Sequence, residues 1–391
     1  PEHPVFTAKD GKIITKRADS IKMGDPAPIS LSIPIDGKEQ LFNIQVRNER
    51  AKIHLKIPSQ NGPELFRILG YFISEGSREI NRKKLIGINF TNSDKRLLDE
   101  FEKLMTGVFN LSPYKQARID ENGTRWMYRY TSSELARFLI AAAPEMMKTS
   151  GTKEIPQFAM KGRKEDIAQM LSTLFEGDGY VSIKNRTIRK GYKTKRKRLA
   201  EQIQDLLLRF KIRSSITSDR EYFRVGITDY NNIKNFNQNI RFVTPEKNMI
   251  ITNYINEKTI RRFVKNKLPL EFNEKILNIM KEEGIVQVGK YEIYDIIYDH
   301  QKRKDKFAFS VDFIKELLKQ IKSDTNKCYL SQFIADIGWE YVSGIEVIDN
   351  ETENWVYDIT IEPNHAFVSQ AAILHNTVSI SKANIHSTLR A

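Results

Sequence analysis

Two similar nine-residue segments constrain the fold of this 391-residue chain more than any other feature of the sequence. They are Ile68–Gly76 (ILGYFISEG) and Leu171–Gly179 (LSTLFEGDG), and each is a largely apolar run that ends in a carboxylate and a glycine. A small residue occupies the third position of each segment, Gly70 and Thr173, which lets two helices pack with their backbones close together. The sequence therefore predicts two buried helices in direct contact.

The carboxylates at the ends of these segments, Glu75 and Asp178, are 103 residues apart in sequence, and we expect them to meet at one edge of the helix contact. Adjacent carboxylates repel each other unless a cation bridges them. Mg²⁺ suits such a pair because it prefers oxygen ligands and completes its shell with phosphate oxygens and water. One acid-glycine helix end is an ordinary structural feature, but two copies in register indicate metal-assisted phosphodiester cleavage.

The elements around the two segments form a repeated series of helix, strands, helix, strands and helix. The first series is predicted as a helix from Pro63, then strand 85–90, helix 94–109, strands near 114–119 and 125–131, and helix 132–142. The second is predicted as helix 166–174, strands near 179–194, helix 199–210, strands near 213–227 and a helix beyond 230. An internal duplication is the economical explanation.

Basic residues are concentrated after the second segment. The net charge of the chain is +14, and such an excess attracts polyanions. The cluster contains Lys184, Arg186, Arg189, Lys190, Lys193, Lys195, Arg196, Lys197 and Arg198, with no acid among them. Double-stranded DNA is the expected partner, and a solvated, partly disordered loop is the alternative.

The paired segments resemble the two signature motifs of LAGLIDADG homing endonucleases. The resemblance implies a pseudo-two-fold αββαββα saddle whose strands lie in the major groove of a long DNA site. Glu75 and Asp178 match the metal-binding acids of that family, with Mg²⁺ as cofactor, and Lys153 matches a position that often carries a lysine. The basic residues Lys184 to Lys197 would then bind DNA.

Both ends of the chain are predicted to be rich in strands, near 4–25 and at 341–347, 355–361 and 366–374. Between them lies the basic, more helical middle. The sequence therefore predicts a mixed α+β protein in which a β domain with neighbouring termini is interrupted by an insertion.

The tripeptide His375-Asn376-Thr377 near the end carries a second possible chemistry. An asparagine amide can attack its own carbonyl and break the chain when a neighbouring histidine protonates the leaving nitrogen. A threonine hydroxyl can act as a nucleophile when the site activates it. By itself, however, the tripeptide is typical of any protein surface.

Together with the strands before it, this stretch resembles the C-terminal splicing motifs of an intein. The resemblance implies that Asn376 cyclises beside the penultimate His375, that Thr377 is the first host residue, and that Asp358 and His365 assist. The first seven residues resemble part of an N-terminal intein motif, in which His3 would destabilise the upstream scissile amide. Splicing by such a Hint domain needs no cofactor.

The rest of the N-terminal motif, including its nucleophile, would lie before residue 1. We therefore expect splicing to require an N-terminal intein fragment or an upstream precursor segment as partner. Residues 377–391 resemble the ATPase core of the minichromosome maintenance (MCM) helicase, which would be the host protein. No phosphate-binding loop occurs in the chain.

The resulting division has five parts. Residues 1–60 and 339–376 are predicted as the incomplete Hint domain, 61–240 as the endonuclease, 241–338 as a mainly helical accessory domain that binds DNA, and 377–391 as host sequence. A free-standing LAGLIDADG nuclease or RNA maturase, and a DNA-binding regulator that has lost cleavage, remain open alternatives.

The sequence also argues against several other classes. It has no apolar run of the roughly 18 residues that span a bilayer and no secretory signal, so we expect a cytoplasmic, nucleoid-associated protein without membrane partners. The lone Cys328 excludes an intrachain disulfide and a cysteine-built zinc site, and we expect it to be a buried thiol.

Overall fold

Contacts within the chain divide it into two units. The computed structural model describes residues 3–49, 54–120, 123–184, 187–257, 266–289, 291–302, 308–346, 361, 365–369 and 372–375. One unit is Ile33–Arg261, here called the repeat unit, and the other combines Pro1–Ser32 with Arg262–Ala391 and is called the β-rich unit.

The chain opens with three strands of the β-rich unit and then enters the first copy of the repeat. The three strands are β1 (Pro4–Lys9), β2 (Lys12–Arg17) and β3 (Pro26–Ser30). The first copy consists of α1 (Pro63–Glu75), β4 (Gly76–Asn81), β5 (Lys84–Asn92), α2 (Lys95–Phe109), β6 (Tyr114–Asp120), β7 (Gly123–Thr131) and α3 (Ser133–Ala142).

The second copy follows the short helix α4 (Gln157–Met160) and is itself followed by α8 (Pro245–Glu257). It consists of α5 (Lys164–Asp178), β8 (Gly179–Lys184), β9 (Thr187–Thr194), α6 (Lys197–Leu208), β10 (Ser215–Asp219), β11 (Tyr222–Ile227) and α7 (Tyr230–Asn239).

Helices predominate in the rest of the chain until its last three strands. These elements are α9 (Asn273–Glu282), β12 (Gln287–Val288), β13 (Tyr291–Glu292), α10 (Ile293–Lys302), α11 (Val311–Leu318), α12 (Asp324–Ser331), β14 (Ile337–Tyr341), β15 (Ala366–Ser369) and β16 (Ala372–His375).

The two copies have the same sheet topology, which confirms the predicted duplication. The first sheet has the order β4-β5-β7-β6 and the second has the corresponding order β8-β9-β11-β10, with antiparallel neighbours throughout. Gly76 pairs with Phe90 in the first sheet and Gly179 with Tyr192 in the second. Side chains alternate across a strand, so Phe90 and Tyr192 lie on the inner faces, where both are buried.

Helices α1 and α5 are buried in the core of the repeat unit. Pro63 starts α1 at a position where its missing N–H is not needed, and eight of the nine residues from Leu65 to Ile73 are buried. Helix α5 is similarly buried from Asp166 to Glu176. A helix that is apolar nearly all round is stable only inside a core, as the sequence predicts.

Strands from both ends of the chain share one sheet in the β-rich unit. Its order is β14-β3-β16-β1-β2, with β15 paired to β16. A separate core lies against this sheet, where the Phe272 ring contacts Phe333 at 4.7 Å and Trp339 at 5.4 Å between centroids. The expectation that the two β-rich ends fold together is therefore met.

The unit boundaries differ from the predicted domain boundaries at 60, 240 and 338. Residues 33–60 and 241–257 contribute Val46, Phe242 and Ile251 to the core of the repeat unit. The helices after residue 266 share their core with Ala8 of β1 and Trp339 of β14, so they are not a separate accessory domain. Tertiary burial sets these boundaries, and a pattern of local elements does not report it.

Three smaller expectations have different outcomes. The strand predicted over 341–347 ends at Tyr341, while the strand predicted over 355–361 lies, except for Ile361, outside the described residues. Cys328 is exposed on α12, so the expectation of a buried thiol was wrong. Among the described residues, no helix combines the length and apolar character that a membrane span requires.

Candidate active site

Helices α1 and α5 touch through their smallest residues. A Cβ on Gly70 would collide with Thr173 Oγ1 and with the Met170 carbonyl oxygen, and a Cβ on Gly177 would lie 2.6 Å from Ser74 Cβ. Thr173 Oγ1 also donates a hydrogen bond of 3.0 Å to the Arg67 carbonyl across the contact. This geometry confirms the close packing predicted from Gly70 and Thr173.

The contact brings the two predicted metal-binding acids together. Glu75 and Asp178 are the last residues of α1 and α5, and the charge of Asp178 acts directly on Glu75. Burial and then the Asp178 charge raise the pKa of Glu75. Burial also raises the pKa of Asp178, against a 3.2 Å hydrogen bond donated by Tyr192 Oη. Two carboxylates that repel each other form a site that a cation would stabilise; Glu75 is half-buried and Asp178 is accessible to solvent.

The donor set fits a hard divalent cation such as Mg²⁺. Within the described part of the chain, no group of three or more His, Cys, Asp or Glu side chains is placed to hold a metal ion. A pair of carboxylates suits a hard cation that takes its remaining ligands from water and substrate phosphates. Two carboxylates are too few to complete the coordination of a cation with protein ligands alone.

Lys153, predicted from the resemblance to lie near the active site, is close enough to the acid pair for the charges of Asp178 and Glu75 to act on it. Only 2% of the residue is exposed, and its Nζ donates hydrogen bonds of 2.6, 3.3 and 2.5 Å to the carbonyls of Phe72, Ile73 and Gly76. These carbonyls belong to the end of α1, where intrahelical donors run out. Burial lowers the pKa of Lys153 to about 8, although Asp178 and Glu75 oppose this shift.

Lys247 of α8 is a site residue that the sequence reasoning missed. Its Nζ donates a 2.6 Å hydrogen bond to the Glu176 carbonyl near the end of α5 and lies 3.1 Å from Glu176 Oε1. Its charge lowers the pKa of both Glu75 and Asp178. Because Lys247 follows the last helix of the second copy as Lys153 follows that of the first, applying the duplication to the segments after each copy would have identified it.

A model of a known protein family matches the two copies of the repeat. A family model described as "LAGLIDADG-like domain" matches residues 63–140 and 165–241, one match for each copy of the repeat. The chain carries a LAGLIDADG-like domain.

Curated proteins with similar sequences include two from Methanocaldococcus jannaschii and one from Mycobacterium tuberculosis. Glutamine–fructose-6-phosphate aminotransferase is 26% identical over 342 residues, which cover 85% of this chain and 29% of the relative. RNA polymerase subunit Rpo1C is 26% identical over 406 residues, 97% of this chain and 44% of the relative. The M. tuberculosis protein RecA is 24% identical over 339 residues, which cover 79% of this chain and 41% of the relative. This chain spans less than half the length of each.

Solved structures similar to the LAGLIDADG-like domain include two homing endonucleases with DNA. I-WcaI bound to its DNA recognition sequence has 14% identity and a TM-score of 0.37, covering 48% of this chain and 85% of that one. I-DmoI in complex with DNA and Mn has 16% identity and a TM-score of 0.35, covering 46% and 96%.

The outer face of the second sheet of the LAGLIDADG-like domain carries part of the predicted DNA-binding cluster. Arg189 and Lys193 are exposed and alternate with the buried Tyr192, and Lys184 and Lys195 are exposed near the strand ends. Lys195 Nζ lies 3.1 Å from Glu221 Oε2.

Other members of the cluster lie elsewhere. Lys190 is only 1% exposed, and its Nζ lies 2.9 Å from the centroid of the Phe236 ring, so its assignment to DNA binding was wrong. The physical reason is alternation, because Lys190 occupies an inward position of β9. Arg196 precedes α6 and pairs with Glu154 at 2.6 Å, while Lys197 is the first residue of α6. Arg186 lies outside the described residues.

The β-rich unit brings two of the predicted splicing histidines together. The rings of His365 and His375 are 6.3 Å apart with an interplanar angle of 21°, and Phe6 of β1 lies 5.2 Å from His375. In the antiparallel pairing of β1 with β16, Val5 is opposite Leu374, so the buried His3 lies toward the same end of the pair as His375. Asp358, Asn376 and Thr377 lie outside the described residues.

Proposed function

We propose that the LAGLIDADG-like domain is a site-specific endonuclease that cuts double-stranded DNA with Mg²⁺. The observation that carries this proposal is the placement of two carboxylates, Glu75 and Asp178, at the adjoining ends of α1 and α5, where the charge of Asp178 acts on Glu75. A bound Mg²⁺ would supply a Lewis acid and lower the pKa of a coordinated water.

The residues of the chain have distinct parts in this proposal. Glu75 and Asp178 hold the metal. Burial and then the charge of Asp178 raise the pKa of Glu75, and a bound cation would relieve this repulsion. Lys153 and Lys247 carry positive charge beside the acids, where a scissile phosphate would gain negative charge in the transition state. Exposed basic residues such as Arg189 and Lys193 neutralise phosphates along the outer face of the second sheet.

A cleavage assay on DNA that contains the uninterrupted host gene tests the proposal. We expect double-strand cuts that require Mg²⁺ and that disappear in Asp178→Asn. The matched control is Asp324→Asn, since the side chain of Asp324 is fully exposed on α12. If the unmodified protein binds DNA without cutting it, the alternative of a DNA-binding regulator is favoured. Cuts that persist in Asp178→Asn would show that Asp178 is not a ligand of a catalytic metal.

We also propose that the β-rich unit is the Hint domain of an intein and that the LAGLIDADG-like domain serves its homing. The favouring observation is that β1, β15 and β16 belong to one sheet in which the rings of His365 and His375 lie close together. His3 lies toward the same end of the β1–β16 pair as His375. The curated relatives support the same proposal, because their names describe unrelated proteins. An aminotransferase, a polymerase subunit and RecA each match 79 to 97% of this chain with only 29 to 44% of their own length.

In this second proposal Asn376 cyclises with help from His375 and His365, Asp358 assists branching, His3 activates the upstream junction, and Thr377 belongs to an MCM-like helicase host. The test is a precursor in which an upstream intein segment is supplied. We expect Asn376→Ala to abolish release of the sequence that starts at Thr377. Release at the unmodified rate would show that Asn376 is not the cyclising residue.

A further inference from the structure

The outer face of the first sheet carries a polar network of three side chains. Asn89 Nδ2 donates a 2.6 Å hydrogen bond to Glu79 Oε2, and Arg129 Nε lies 3.5 Å from Glu79 Oε1. Asn89 is directly opposite Arg129 in the pairing of β5 with β7. The network faces away from the core because the neighbouring Phe90 and Tyr128 point inward and are buried.

The second sheet has no such network at the corresponding positions. The pairs Gly76–Phe90 and Gly179–Tyr192 align β4 and β5 with β8 and β9, and the pairs Phe90–Tyr128 and Tyr192–Val225 align β7 with β11. Counted from these pairs, the positions of Glu79, Asn89 and Arg129 are occupied in the second copy by Ser182, Gly191 and Gly226.

The backbone of the second sheet excludes a side chain at the central one of these positions. A Cβ on Gly191 would collide with the Val225 carbonyl oxygen and lie 2.7 Å from Tyr180 Oη. Two cations of this face, Lys193 and Arg224, stand one pair further along the strands, where the first copy has Thr91 and Met127. The two outer faces therefore present different chemistry at each equivalent level.

A carboxylate such as Glu79 on a surface that meets DNA repels phosphates, so it weakens binding unless it organises a donor. Glu79 lies on the Nε side of the Arg129 guanidinium and is itself held by Asn89, with 19% of the Glu79 side chain and 34% of the Arg129 side chain exposed. This ion pair favours an orientation of the guanidinium with its Nε side toward Glu79. An arginine whose outer N–H groups stay available pairs bidentately with guanine O6 and N7, which is the commonest specific contact in the major groove.

We propose that Arg129, positioned by Glu79 and Asn89, reads a guanine in the half-site bound by the first copy, and that no side chain reads the corresponding base pair of the other half-site. The proposal rests on the proposed DNA-cleaving function. It makes the two half-sites different in kind: the first copy discriminates a base at this level, whereas the second presents Ser182, Gly191 and Gly226.

The test is selection of cleaved duplexes from a randomised DNA library by the full chain with Mg²⁺. We expect the unmodified protein to enrich guanine at one position of one half-site, with no preference at its symmetry-related position. Arg129→Lys keeps the charge but loses the fork of donors, so the guanine preference should fall roughly ten- to a hundredfold while other positions stay unchanged. Glu79→Gln should reduce the same preference by a smaller factor.

Lys193→Ala is the matched comparison, because its position in the second copy carries a cation without the network. It should weaken DNA binding about equally for all sequences and reduce the salt dependence by about one phosphate contact. Arg129→Lys that keeps the full guanine preference, or that weakens all sequences uniformly, would overturn the proposal. A library from which the unmodified protein enriches no sequence would instead refute the DNA-cleaving function itself.

Discussion

The two copies of the repeat share the same order of elements but differ at two places where equivalent residues of α1 and α5 meet face to face. Gly70 and Thr173 both lie five residues before the terminal acid of their helix, and they touch each other; Ser74 and Gly177 do the same one residue before it. Each facing pair combines a glycine with a hydroxyl residue. Where two helices approach this closely there is room for one side chain and not two, so at least one residue of each facing pair has to be glycine.

The copies also differ away from the helix contact. The inward position of Ile88 in the first sheet corresponds to the buried Lys190 in the second. Residues 33–49 and 54–61 belong to the repeat unit and precede only the first copy, where Glu134 accepts hydrogen bonds from the Asn48 and Leu55 amides. These differences show that a common fold tolerates unequal chemistry in its two copies.

The largest expected difference concerns the two lysines beside the acids. We expect Lys153→Met to lower the rate of DNA cleavage by about a hundred- to a thousandfold, because it removes a charge positioned for the transition state. Lys247→Met should have a smaller effect, since 29% of the Lys247 side chain is exposed and water screens its charge. Single-turnover cleavage rates measure both. Equal losses in the two variants would mean that the lysines are functionally equivalent.

The second prediction concerns the crowded helix pair. Gly70→Ala places a methyl group against Thr173 and the Met170 carbonyl, and we expect it to lower the free energy of unfolding by about 1–3 kcal/mol or more. Thr173→Ala removes atoms from the same contact and should be milder, with loss of its hydrogen bond to Arg67 as the main effect. Denaturant unfolding compares the two variants. A Gly70→Ala protein as stable as the unmodified one would show that the helices can separate without penalty.

The third prediction concerns the anchor that only the first copy has. Burial alone would raise the pKa of Glu134, but hydrogen bonds from the Asn48 and Leu55 amides and from His54 lower it to about 2. We expect Glu134→Gln to destabilise the protein by about 1.5–3 kcal/mol at neutral pH. Asn231→Ala is the control, because Asn231 holds the equivalent position of α7 and is exposed.

The pH dependence of this effect has a defined sign. A folded-state pKa near 2, below the ordinary value of 4.5, means that the carboxylate stabilises the fold fully above pH 4.5 and loses this contribution as the pH falls toward 2. The stability difference between the unmodified protein and Glu134→Gln should therefore shrink over that range. A difference that stays constant with pH would contradict the ionic role of Glu134.

The smallest expected effect is that of Lys190→Met, which gives the second sheet an apolar side chain at this inward position, as the first sheet has with Ile88. Removing a buried amine should stabilise the protein by only about 1 kcal/mol at neutral pH, since the contact with the Phe236 ring is lost as well. Burial lowers the pKa of Lys190 well below 10.5, so the lysine becomes less unfavourable as the pH rises toward 10.5. The advantage of Lys190→Met, measured by unfolding at several pH values, should shrink in the same direction; Ile88→Met, the matched change in the first copy, should show no such pH dependence.

Much of the repeat unit follows from local patterns in the sequence. The apolar segments ending at Glu75 and Asp178, the small residues Gly70 and Thr173, and the repeated order of elements were sufficient to predict the duplication and the paired helices. The convergence of the two acids followed from the same reasoning. Periodicity and residue size are properties of short stretches, and a close helix contact depends on little else.

Only the tertiary structure decided which residues belong to which unit and which charges meet solvent. Residues 33–60 look like irregular sequence until Val46 is seen inside the core of the repeat unit, and Lys190 looks like a DNA-binding residue until alternation along β9 places it among aromatic rings. Lys247 and the Glu79–Asn89–Arg129 network depend on strand register and on contacts between distant segments. Burial and register are set by the whole packed chain, because they depend on partners that no local stretch of sequence contains.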